Sequence, residues 1–173
     1  MVSGQTCDLT WFRLRRFVQV LHWFSQSASH DSILRGRRYA LRAVKQRLHQ
    51  ASFREAVITA YGGRCALSGL PEQRLLDAAH IIADKDERFG QPIVPNGLPL
   101  SKIHHAAFDA HLIGIDTEYR LHVSERLLGQ NDGPMLEALK QLNGVSIHLP
   151  TRDKDYPDQD RLALRFERFK AAA

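Results

Sequence analysis

Apolar positions recur along this chain with two different spacings, and each spacing predicts a different kind of element. From Trp11 to Gln26 the large residues Trp11, Phe12, Leu14, Phe17, Val18, Leu21, Trp23 and Phe24 cover most of a helix's circumference. One-sided burial would not satisfy such a helix, so this segment is expected to need a partner. The polar, small stretch from Ser25 to Ser32 then reads as a boundary. A basic helix follows over Arg38 to His49, with Tyr39, Ala40, Ala43, Val44 and Leu48 on its apolar side. Ser52-Phe53-Arg54-Glu55 has the form of a capping box, predicting a new helix up to Tyr61 that Gly62-Gly63 stops.

After Cys65 and a turn at Ser68-Gly69, the run from Leu75 to Ile82 reads as a strand, and a long loop holds Asp84, Asp86, Gly90, Pro92 and Pro95. Leu98 to Leu100 is a short apolar stretch, and Ser101 can cap a helix running to about Ala110. Leu112 to Ile115 and Tyr119 to Val123 predict a hairpin around Asp116-Thr117-Glu118. A helix starts at Pro134 and ends before Gly144, Ser146 to Leu149 is a further strand candidate, and Asp158 to Lys170 reads as a terminal amphipathic helix.

The 173 residues, 43% hydrophobic, suffice for one domain with a real core plus extensions. The expected divisions are an N-terminal extension and linker over 1–35, a main domain with its basic lead-in over 36–150, and a C-terminal helix over 151–173. Two cysteines, Cys7 and Cys65, make no disulfide framework, so the expected compartment is the cytoplasm. The start lacks the pattern of a signal peptide, and the apolar segment is interrupted by Arg13, Arg15, Arg16 and His22 and is too short to span a bilayer. No membrane partner is expected.

A net charge of +5 points to an anionic partner. Its distribution sharpens this: eleven Arg or Lys side chains from Arg13 to Arg64 face only Asp8, Asp31 and Glu55 in the first third of the chain. Arg37, Arg38, Arg42, Lys45 and, further on, Lys102 are the candidate nucleic-acid contacts. Such side chains would hold phosphates and carry no base specificity. A solvated helix face is the ordinary alternative for any of them.

Three phrases carry the chemistry. They are Leu75-Leu76-Asp77-Ala78-Ala79-His80-Ile81-Ile82, then Asn96-Gly97-Leu98-Pro99-Leu100, then His104-His105-Ala106-Ala107-Phe108-Asp109. In this order they resemble the HNH nucleases, and closely the restriction-endonuclease-like branch with an LLDAAHI, NGL and HHAAFD core. The likeness continues through Gly114-Ile115 and Asp132 to Leu136 to Leu149-Pro150. The resemblance implies an α+β fold, a ββα-metal (HNH, His-Me finger) core flanked by helices. It implies that His80 is the general base, that Asn96 braces the loop and orients that histidine, and that His105 is a metal ligand.

On a helix from Ser101 to Ala110, His105 and Asp109 stand at i and i+4 on one face and could grip one ion together. Imidazole with carboxylate fits Mg²⁺ or Mn²⁺, the expected ions, and is compatible with Ni²⁺ or Zn²⁺. Asp77 is a third candidate ligand, although strand alternation places it opposite His80 and beside Ala79. Ala79 itself departs from the family, where an aspartate or histidine often precedes the base. Each residue also has an ordinary reading: His80 as a hydrogen-bonded strand end, Asn96-Gly97 as a turn, Asp109 as a helix C-terminal acid, and His111 as solvent-facing in preference to a further ligand. Many relatives carry a structural zinc on two knuckles whose positions here are Cys65, Ser68, Ser101 and His104. Serine is a poor zinc ligand, so no structural zinc is expected and Cys65 should pack as a small hydrophobe.

The reading favoured is a metal-dependent endonuclease hydrolysing phosphodiester bonds of double-stranded DNA in restriction or phage defence. The alternative from another class is a non-cleaving nucleic-acid-binding module with a degenerate finger. A nuclease toxin would need an export or receptor-binding region, and none is visible. Besides double-stranded DNA, the partners to be expected are a second copy in a homodimer or a separate specificity domain or subunit.

Overall fold

A helix described from residue 49 to 60, α1, leads into the main unit and buries Phe53, Val57 and Ile58 on one side. The structure, a computed structural model, describes residues 49–131 and 133–172. The helix expected over Trp11 to Gln26, the linker, nearly all of the basic helix, and with it Arg37, Arg38, Arg42 and Lys45 lie outside the described residues. Ser52 does not cap α1 as expected. It lies within the helix, and its hydroxyl donates back to the His49 carbonyl at 2.9 Å. The end of α1 is as expected, with Gly62 and Gly63 at φ of 61° and 75°.

Strand β1 (Leu76–His80) pairs antiparallel with β2 (Gly97–Ser101), placing His80 opposite Gly97 and Asp77 opposite Leu100. Helix α2 (Lys102–Asp109) follows at once, with the Ser101 hydroxyl accepting the His104 amide. A side chain at the first turn thus fixes where the strand ends and the helix begins. The hairpin β3 (Ile113–Ile115) and β4 (Leu121–Val123) is the second two-stranded sheet. Two short helices, α3 (Glu125–Leu128) and α4 (Pro134–Lys140), come next. The strand expected over Ser146 to Leu149 is reduced to one bridge between Arg120 and Ser146.

The last helix, α5 (Gln159–Ala172), starts at the expected place because the Asp158 carboxylate accepts the Arg161 amide at 2.9 Å. It packs on β3, where the Phe169 ring lies against Gly114 at a distance no Cβ would permit. Its Leu162 joins Ala79, Ile81, Leu98, Phe108, Ile113 and Leu121 in one core, each at most 1% exposed. Strand, helix and hairpin are therefore anchored through shared apolar burial. No helix among the described residues is long and apolar enough to cross a membrane.

Candidate active site

His80 closes β1, and its ring is held between the sheet and α1. Phe53 stacks on the imidazole with ring centroids 4.2 Å apart and planes 18° apart. That approach requires Gly97, because a Cβ there would collide with Val57 Cγ2 and the Phe53 ring. Gly97 has φ −131°, an extended conformation open to any residue, so the close approach and not a turn selects glycine here. Burial pushes the His80 pKa below the ordinary imidazole value, with His105 adding to the effect while Asp84 and Asp109 oppose it. Its Nε2 is enclosed and has no hydrogen-bond partner.

Asn96 is fully buried and works as a clamp. Its Oδ1 accepts the Ile82 amide at 2.9 Å, and its Nδ2 donates to the carbonyls of Ile82 and Gln91, each at 3.0 Å. Its own carbonyl accepts the Ile81 amide at 2.9 Å. The side chain thus imitates a strand partner for the residues directly after His80 and closes the loop of residues 81–96.

His105 Nε2 and Asp109 Oδ2 are 3.3 Å apart across one turn of α2. The other oxygen of Asp109 lies 3.7 Å from Arg165 Nη2. His80 and His105 line one cleft of about 350 Å³, together with Phe53, Arg54, Asp77 and Ala78. Among the described residues β1 pairs with β2 alone, and the cleft that His80 lines also reaches Asp77 despite the strand alternation. The Asp77 carboxylate faces Arg54 at 3.6 Å, and Arg54 also donates to the carbonyls of Gln73 and Leu76. Among the described residues, no group of three or more His, Cys, Asp or Glu is placed to hold a metal ion. His105 with Asp109 is a pair, and Asp77 is engaged elsewhere. Lys102 is exposed on the first turn of α2.

His111 adopts φ 54°, rare for a side chain with a Cβ, and its Nδ1 is enclosed without a partner. It is half-buried, not the solvent-facing residue its sequence context suggests. Burial lowers its pKa, with Arg165 and Arg168 adding to the effect and Asp109 opposing.

The four knuckle positions converge in space although two are serine. Cys65 Sγ lies 3.3 Å from His104 Nδ1 and accepts the Ser101 amide at 3.4 Å. Burial acts to raise the thiol pKa, but hydrogen bonds from His104, from the Ser68 side chain and amide, and from the Ser101 amide outweigh it and lower it to about 6. Cys65 does pack in the core as expected, yet it is also polar-bonded, which its composition alone did not reveal. A cavity of about 680 Å³ lies beside this cluster, lined by Leu75, Ile103 and Met135 among others, and neither His80 nor His105 lines it.

Sequence reasoning missed Phe53, Gln91, Arg161 and Arg165, which approach the site from α1, the loop and α5. The stacking partner Phe53 had a weak signal, as a large aromatic on the helix before the finger.

No curated protein matches the chain. One solved structure, described as a modification dependent TagI restriction endonuclease, is similar with a TM-score of 0.47 and 16% identity. The match covers 68% of this chain and 37% of that one, so this chain spans little more than a third of its length. Residues 65–116 match the model of the HNH endonuclease family. That stretch contains His80 at the end of β1, Asn96 directly before β2, and His105 and Asp109 on α2, and over it the chain is similar to the HNH endonucleases.

Proposed function

We propose that this nuclease hydrolyses phosphodiester bonds of double-stranded DNA in restriction or defence, with His80 as general base and one divalent cation held by His105 and Asp109. The observation that carries the reading is a single cleft bordered by a desolvated imidazole on β1 and a second imidazole, paired to a carboxylate, on α2. Burial favours the neutral form of His80, the form that can accept a proton at neutral pH. With Nε2 enclosed, Nδ1 is the ring nitrogen able to reach a water in the cleft. Phe53 and the Asn96 clamp fix the ring and its backbone before substrate arrives, which lowers the reorganisation needed for reaction.

The donor set fits a metal that keeps several waters. Two protein ligands, one imidazole and one carboxylate, suit Mg²⁺ or Mn²⁺, which are commonly bound through one or two carboxylates with substrate phosphate completing the shell. Such an ion would supply positive charge for the developing phosphorane and for the departing oxygen. The decisive assay is a panel of divalent metals on methylated and unmethylated plasmid, with product ends mapped. Nicking or cutting with Mg²⁺ or Mn²⁺, arrest by EDTA, and 5′-phosphate with 3′-hydroxyl ends are expected. Cleavage that persists in excess chelator sinks the metal-assisted reading, and the two plasmids report any dependence on modification.

A further inference from the structure

The family match ends at residue 116, yet a buried arginine beyond it reaches back into the catalytic loop. Arg161, on the first turn of α5, is only 9% exposed. Its Nε donates to the Phe89 carbonyl at 2.8 Å, its Nη2 to Gln91 Oε1 at 2.8 Å, and its Nη1 faces the Asp158 carboxylate at 3.1 Å. Gln91 is the residue whose carbonyl accepts Asn96 Nδ2, and Asn96 in turn holds both polar groups of Ile82, two residues after His80. Next to this chain the Asp158 amide donates to the Pro95 carbonyl at 2.9 Å.

We propose that Arg161 is a positioning residue for the nuclease reaction, acting through Gln91 and Asn96 to hold the end of β1 and so the His80 ring. The inference rests on His80 being the base. A guanidinium is suited to this task, because its planar fork can serve Phe89, Gln91 and Asp158 at once, and burial leaves it little access to water as an alternative partner. Leu162, the next residue, supplies apolar anchoring alone. The loop is thus clamped from two sides, by Asn96 at its own end before β2 and by Arg161 from a helix seventy residues away in sequence. α5 is part of the catalytic unit and not an appendage to it.

The test compares Arg161→Gln and Arg161→Lys with Leu162→Ala, a control that loosens α5 by removing apolar burial while leaving the hydrogen bonds to the loop in place. Two readouts are taken at a temperature where all are folded: amide hydrogen exchange at Ile82 and kcat for plasmid nicking. Arg161→Gln should speed Ile82 exchange at least about tenfold more than the control and lower kcat by about 10–100-fold with KM little changed. Arg161→Lys should recover part of each. A double variant with Asn96→Ala should fall short of the product of the single effects, because both act on one element. Ile82 exchange in Arg161→Gln no faster than in the control overturns the proposal, even if the wild type nicks no DNA. Failure of the underlying reading shows separately, as a His80→Ala variant that cuts at the wild-type rate.

Discussion

Cys65 Sγ and His104 Nδ1 face each other at 3.3 Å, although the two serines beside them, Ser68 and Ser101, cannot complete a thiolate-rich metal shell. The pair is held by hydrogen bonds of its own. Purified protein is therefore expected to contain far less than one tightly bound zinc, and its Tm should not collapse under chelator. Stoichiometric zinc by elemental analysis would contradict this. The double variant Ser68→Cys, Ser101→Cys should gain zinc, since it restores three thiolates and one imidazole at positions that already converge.

His80→Ala should lower the nicking rate by about 10²–10⁴ while leaving DNA affinity and Tm nearly intact. The pH profile supplies an independent check. Burial holds the folded-state pKa of His80 below the ordinary 6.5, so the base is neutral above that lowered pKa and is lost as pH falls through it. At saturating metal, kcat should be level through neutral pH and decline on an acid limb whose midpoint lies below 6.5. The stability contributed by keeping His80 neutral has the same sign, present at neutral pH and lost on acidification. An acid limb centred above 6.5 would assign the titration to another group.

The local parts of this architecture were legible because their causes are local. The Ser101 cap, the Gly62-Gly63 stop, the Asp116 turn and the Asp158 start each depend on residues within one turn of the backbone. Ser52 shows the limit of that reasoning, since a capping-box pattern inside an already formed helix leaves serine to bond its own preceding turn. Gly97 was readable only as a turn residue. Its true constraint is the proximity of Val57 and Phe53, about forty residues earlier. Arg161 and Gln91 were out of reach for the same reason. Nothing near either one in sequence indicates a hydrogen bond across seventy residues.

His105→Ala and Asp109→Ala should each weaken divalent-metal binding, and raised Mn²⁺ should restore part of the lost activity. The Asp109 oxygens are divided between His105 and Arg165, so this carboxylate can leave its imidazole partner for a metal without losing all of its charge compensation. Asp77→Ala should change metal affinity least, because that carboxylate faces Arg54. Isothermal titration calorimetry with Mn²⁺ ranks the three. Unchanged affinity in Asp109→Ala would return that residue to a helix C-terminal role, and a larger loss in Asp77→Ala would move the metal along β1 toward Asp77.

Phosphate contacts should make DNA affinity fall steeply as salt rises, because each neutralised phosphate releases condensed counterions. Two sets of cations can supply them. Arg37, Arg38, Arg42 and Lys45 belong to the basic lead-in, while Lys102 is exposed on the first turn of α2, three residues before His105. Charge reversal at the four lead-in positions should weaken binding to unrelated DNA sequences alike, with the salt slope shallower by about one unit for each phosphate that is no longer neutralised. Lys102→Glu alone should make it shallower by about one unit. If the quadruple variant leaves affinity and slope unchanged, the lead-in does not touch DNA. A full loss on reversing Lys102 together with the exposed Lys85 and Arg88 would then place the phosphate track on the finger itself.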